Sequence, residues 1–125
     1  MKLHYYPGCT LKEKTKGLDV STREAMKRLD IDLVEPEGWT CCGAEYPLTE
    51  EKISNLAAPI RVLRQVRDEG GEVVVTTCSF CYSVLKRSNK AIQDDPLKRK
   101  RINAFLRDDI QNDPLTKERT TGFAD

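Results

Sequence analysis

Short apolar runs alternate three times along the chain with longer stretches whose apolar residues recur every third or fourth position, the pattern of strands followed by amphipathic helices. "KLHYYPGC" reads as a short buried strand closed by a Pro7-Gly8 turn. In "GLDVSTREAMKRLDI", Leu18, Ala25, Met26 and Leu29 share a helical spacing, and Ser21 with Glu24 fits a capping box. "DLVEP" reads as a second strand, stopped by Pro36. Thr49 then fits the cap of a helix with Glu50 and Glu51 at its positive end. The buried stripe of that helix is Ile53, Leu56, Ala57, Ile60, Leu63 and Val66; Pro59 is expected to kink or divide it, and Gly70-Gly71 to end it.

"EVVVTTC" is the strongest strand signal, a β-branched run of the kind buried on both faces of a parallel sheet. "SFCYSVLKRSNKAI" follows as a helix, and a last helix from Pro96 to Ile110 is amphipathic through Leu97, Ile102, Phe105, Leu106 and Ile110. This order implies an α/β domain with a small parallel sheet and right-handed crossovers. At 125 residues and 14.2 kDa the chain fits one domain, expected over residues 1–110, with residues 111–125 a polar, loosely ordered tail.

The 21 basic and 20 acidic residues leave a net charge of +1. No block of one sign marks a nucleic-acid or membrane partner, and the "KRK" run with Arg101 reads as a solvated helix face. No stretch approaches the roughly 18 apolar residues of a membrane span, and the start has no secretory pattern, so a cytoplasmic location is expected.

The five cysteines fall after the three strands: Cys9 after the first, Cys41 and Cys42 after the second, Cys78 and Cys81 after the third. The carboxyl ends of parallel strands are where such sheets bind ligands. An odd count rules out complete internal pairing, and a reducing compartment favours thiolate ligation. A bridge between Cys41 and Cys42 would be strained, because adjacent Cα atoms lie about 3.8 Å apart and a relaxed disulfide needs roughly 4.4 to 6.8 Å. A turn can instead aim successive sulfurs at different atoms of one polynuclear centre, with Gly43 allowing a crowded backbone. Cys78-Ser79-Phe80-Cys81 has the spacing of a thioredoxin-like redox pair, but that reading leaves the other three cysteines without a role. Zinc needs four thiolates and leaves one over; an iron–sulfur cluster accommodates all five, and the count alone does not choose between them.

Cys9, 31 residues, Cys41-Cys42-Gly43, 34 residues and Cys78-x-x-Cys81, together with "YYPGCT" and "TTCSFCYSVL", resemble the cysteine-rich CCG-domain family over residues 2 to 90. Its best-known member is the B subunit of heterodisulfide reductase, with relatives in succinate, glycolate and lactate oxidoreductase complexes. The resemblance implies a Rossmann-like three-layer unit with its cysteines at the C-terminal edge of the strands. It further implies that Cys9, Cys41, Cys42, Cys78 and Cys81 hold a non-cubane [4Fe–4S] cluster that passes electrons toward a disulfide substrate. Zinc is the alternative metal, and a non-catalytic, zinc- or cluster-stapled docking module of a respiratory or dehydrogenase complex is the alternative function. The implied partners are iron–sulfur or flavin subunits. The best-known member carries two CCG motifs and this sequence one, so if the disulfide must be held between two clusters the resemblance implies half a site, in a fragment, a shortened paralogue or one half of an assembly completed by another chain such as a second CCG domain.

Around the cysteines, His4 reads as structural, Trp39 as packing that could also shield a cluster, and Tyr5, Tyr6 and Tyr82 as packing residues within reach of a sulfur. Lys12, Lys14 and Lys16 flank Cys9 and read as a solvated loop, with an anionic thiol substrate as the sharper alternative. A phosphate-binding glycine loop, a Ser-His-Asp set and a carboxylate pair are all missing from the sequence.

Overall fold

In the computed structural model, residues 1–43 and 53–112 are described. Three parallel strands, β1 (Lys2–Tyr5), β2 (Asp32–Val34) and β3 (Val74–Val75), form a sheet in the order β2-β1-β3. Leu3 lies opposite Leu33, and Tyr5 opposite Val75. The helices among the described residues are α1 (Gly8–Glu13), α2 (Lys16–Arg28), α3 (Ile53–Asp68), α4 (Ser79–Asp94) and α5 (Pro96–Asn112). This is the α/β fold with a small parallel sheet that the alternation implies, and it is Rossmann-like, as the family resemblance implies. The central strand is the first in sequence, so both crossovers start or finish beside it and bring three loops to its carboxyl end.

The core has two parts. Leu56, Ala57, Ile60, Ile92, Ile102 and Leu106 knit α3, α4 and α5 together. The other part joins Tyr6, Cys42, Val62, Cys81, Val84 and Leu85, with Trp39 and Leu63 against it, so two of the cysteines are packed as core side chains. Each fully buried aliphatic side chain contributes about 1.5 to 3 kcal/mol.

Several expectations are corrected by packing. A helix, α1, follows Pro7 directly where a bare turn was expected, and it starts at Gly8. Pro59 does not divide α3, which runs unbroken; its ring is fully buried, and that packing offsets the lost backbone hydrogen bond. α2 has no buried residue, and Leu18 and Leu29 are exposed. Its inward side is polar: Arg23 lies over the Tyr5 ring, 5.0 Å from the centroid, and pairs with Asp19. Ser21 lies inside α2, whose N-cap is Thr15, so no capping box forms there. β3 is two half-buried residues, not a long run covered on both faces, because among the described residues β1 is its only strand partner and ends after Tyr5. In α5, Leu97 and Phe105 are exposed, while Ile102, Asn103 and Leu106 are buried. Thr49, Glu50 and Glu51, and the tail beyond Asn112, lie outside the described residues.

Candidate metal centre

Each strand leads into a turn that carries cysteine. Gly8 has φ +78°, a conformation that glycine adopts without penalty, and it turns the chain from β1 into α1 so that Cys9 sits in the first turn. Cys41 and Cys42 end the loop after β2, followed by Gly43 at φ +85°. Cys78 is the N-cap of α4, and its Sγ accepts the Cys81 N–H at 3.5 Å.

The sulfurs from these three turns meet as two pairs. Cys9 Sγ lies 3.8 Å from Cys41 Sγ, and Cys42 Sγ lies 3.7 Å from Cys81 Sγ. The pairs adjoin, because a Cβ on Gly8 would fall 2.8 Å from Cys81 Sγ; the sulfur of α4 rests on the backbone that carries Cys9. Cys42 and Cys81 are 3% and 5% exposed, Cys9 and Cys41 are exposed, and Cys78 is intermediate.

These residues fit a thiolate-bound metal centre. Two sulfurs bound at about 2.3 Å to one tetrahedral metal atom stand roughly 3.8 Å apart, the spacing found in both pairs. Among the described residues, no three or more His, Cys, Asp or Glu side chains form a group suited to a single ion. Two of the thiols, Cys41 and Cys81, resist ionisation. Cys81 is pushed up by its hydrogen bond with Cys42, by burial and by Cys78. For Cys41, the Gly43 N–H favours the thiolate, but burial and the neighbouring Cys9 outweigh it and the shift is upward. Neighbouring thiols oppose one another's ionisation, and a metal ion supplies the positive charge that reverses this.

A polar clamp holds the cysteine doublet. The buried Tyr6 donates its hydroxyl to the Thr40 carbonyl at 2.7 Å, and burial together with the sulfurs pushes its ionisation upward, keeping it a donor. Trp39 meets Tyr6 edge to face, 5.1 Å between centroids, and donates Nε1–H to Glu35 at 2.6 Å. Glu35 also receives Lys12 and Arg23, at 2.8 and 2.7 Å. Burial disfavours the Glu35 carboxylate, but hydrogen bonds from Lys12, Trp39 and Arg23 prevail and its pKa is lowered. Gln65 of α3 donates to the Glu37 carbonyl.

Sequence reasoning missed Glu35, since one carboxylate beside a strand end has no periodic or motif signal. Of the tyrosines, Tyr5 pairs with Thr77, Tyr6 with Thr40 and Tyr82 with Lys86, so their hydroxyls serve other groups than the sulfurs. Lys12 is engaged by Glu35. His4 pairs with Glu69 at 3.3 Å, its ring against Gly71.

The family model described as a cysteine-rich CCG domain matches residues 3–86. The chain is 32% identical over 102 residues to an 8-methylmenaquinol:fumarate reductase membrane anchor subunit of Wolinella succinogenes, covering 82% of this chain and 35% of that one. It is 26% identical over 108 residues to the B subunit of a ferredoxin/F(420)H(2)-dependent CoB-CoM heterodisulfide reductase of Methanosarcina acetivorans, covering 86% and 36%. Against the B subunit of a ferredoxin:CoB-CoM heterodisulfide reductase of Methanosarcina mazei it is 29% identical over 112 residues, covering 86% and 36%. The chain thus spans about a third of the length of the curated relatives it matches. Among the described residues, no helix is long and apolar enough to cross a membrane.

Proposed function

The chain belongs to the cysteine-rich CCG-domain family, and from that premise we propose that it is an iron–sulfur redox unit of a larger reductase, its five cysteines holding a non-cubane [4Fe–4S] cluster. When bound, such a cluster would pass electrons one at a time; two of them, delivered in successive one-electron steps from the partner iron–sulfur or flavin subunits, together with two protons, would cleave a disulfide substrate into two thiols. The observation that carries the reading is the meeting of sulfurs from three strand ends in two adjoining pairs at 3.8 and 3.7 Å. Two pairs suit a centre of several metal atoms better than a lone zinc ion.

The residues divide the work. Cys42 and Cys81, buried beneath Tyr6 and Trp39, anchor the centre and keep water from that side. Cys9 and Cys41 form its open side, where a substrate or partner can approach. Tyr6 and Glu35, through Thr40 and Trp39, hold the doublet loop in place. Partner iron–sulfur or flavin subunits, and a second CCG unit on the open side, complete the reductase.

Anaerobic purification followed by iron, acid-labile sulfide and zinc analysis tests this. Iron and sulfide near four per chain, with a paramagnetic signal on oxidation or reduction, are expected. One zinc per chain and no visible absorbance would instead leave a stapled docking module. Cys42→Ser should lower metal loading at least several-fold, because it removes a buried member of the closer pair.

A further inference from the structure

The cations of the chain are unevenly spread once it is folded. Residues 1–43 contain seven Lys or Arg and seven Asp or Glu, and residues 53–78 contain three of each. Between Lys86 and Arg107, eight Lys or Arg face only Asp94 and Asp95, with Asp108 and Asp109 following at the far end. Asp95 is occupied as the cap of α5, its Oδ1 accepting the Leu97 and Lys98 N–H groups at 3.1 Å. The ion pairs seen among the described residues involve His4, Lys12, Arg23 and Arg64 and none of these eight cations.

This basic stretch begins on the helix that carries Cys81. At 1.5 Å per residue, Lys86 and Lys90 lie about 7.5 and 13.5 Å along α4 from Cys81. On either side of Cys81 in the sequence stand two exposed aromatic residues, Phe80 at 63% and Tyr82 at 53%. Tyr82 is held by Lys86, whose Nζ donates to its hydroxyl at 2.8 Å and sits 5.2 Å from the ring centroid. An exposed aromatic pair beside unneutralised cations is the make-up of a protein-docking surface steered by charge.

Resting on the redox reading above, we propose that the outer face of α4 and the first turns of α5 dock an acidic electron-carrier protein, with Phe80 and Tyr82 seated at the contact. Cations attract an acidic carrier from solution, and Lys86, Arg87 and Lys90 stand on the helix that carries Cys81, with Phe80 and Tyr82 next to that residue, so the contact lies beside a cysteine turn. Aromatic side chains next to the cysteine turn suit a protein that exchanges electrons there; a nucleic acid or an anionic lipid surface, which can use the same cations and aromatics, is an outcome of the test below. The segregation is invisible in the overall balance of +1, which conceals it by averaging.

The test uses the full chain with an acidic bacterial ferredoxin as probe and calorimetric titration as readout. Lys90→Glu, Lys100→Glu and Arg101→Glu combined should weaken binding about tenfold or more at low salt and flatten its salt dependence. Phe80→Ala should weaken it with the salt dependence kept. Basic cytochrome c should bind the reversed variant no more weakly than it binds the original chain. Circular dichroism checks folding, and the matching Gln variants supply the comparison if the Glu variant unfolds. Unchanged ferredoxin affinity in the folded variants overturns the proposal, as does tighter binding of a DNA duplex or anionic vesicles than of ferredoxin. Iron measured on the same samples separates the two readings. Ferredoxin binding without iron removes the redox reading alone, and iron without ferredoxin binding removes the docking surface alone.

Discussion

Alanine at position 8 places a methyl group where the structure has none to spare. The added Cβ would lie 2.8 Å from Cys81 Sγ, with the Tyr6 ring 3.8 Å away on another side. That is roughly 1 Å inside ordinary contact, and overpacking of this kind costs about 1 to 3 kcal/mol. A φ of +78° adds a backbone cost of about 1 to 2 kcal/mol for a residue with a Cβ. The expected total is about 2 to 5 kcal/mol, a large share of the ~5 to 15 kcal/mol that holds a domain folded. Two other glycines separate these contributions. Gly38 has φ +66° with nothing within 4 Å, so Gly38→Ala carries the backbone cost alone. Gly17, near the start of α2, has neither feature, and Gly17→Ala should be neutral or stabilise by up to ~1 kcal/mol. Urea unfolding of the three variants under anaerobic, reducing conditions gives each value. If Gly8→Ala came within about 0.5 kcal/mol of Gly38→Ala, the close approach of Cys81 to the Cys9 turn would be refuted.

Glu35→Gln removes the negative charge and one of the two acceptor oxygens shared by Trp39, Lys12 and Arg23, so stability should fall by about 1 to 3 kcal/mol and the emission of Trp39, the sole tryptophan, should shift. Because the folded Glu35 has a lowered pKa, its contribution is full above the ordinary value of 4.5 and is lost as pH falls through the lower folded value. Acid titration of the original chain should therefore show a loss of stability below that point which the Gln variant lacks. Arg23→Ala removes the stacking on Tyr5 and pairs to Asp19 and Glu35; a loss of about 1 to 3 kcal/mol is expected in chemical denaturation, only partly restored by Arg23→Lys. Gly71→Ala drives a methyl group into the His4 ring and Val66 and should lower the thermal midpoint, whereas Gly38→Ala changes it less.

The alternation of apolar runs and helical stripes was enough to place every cysteine after a strand, because backbone hydrogen bonding imposes the periods of 2 and 3.6 locally. It also located the stripe of Leu56, Ala57, Ile60 and Val66, all buried in α3. Where the stripe was short, as in α2, periodicity placed only Met26 of its four residues on the half-buried side: the folded helix turns Asp19 and Arg23 inward beside it, because Tyr5 and Glu35 lie there. No local rule carries that information, since the partners come from separate strands. Sulfur pairing is of the same kind. Cys9 and Cys41 are 32 positions apart and Cys42 and Cys81 are 39 apart, and only the order β2-β1-β3 decides which loops become neighbours. Burial of one pair and exposure of the other, and the Glu35 clamp, likewise arise from packing between distant segments, whereas the run of cations along α4 and α5 is legible in the sequence itself. Spacing along the chain determined which residues could reach the carboxyl edge of the sheet; their depth, partners and electrostatic surroundings were decided by tertiary contact alone.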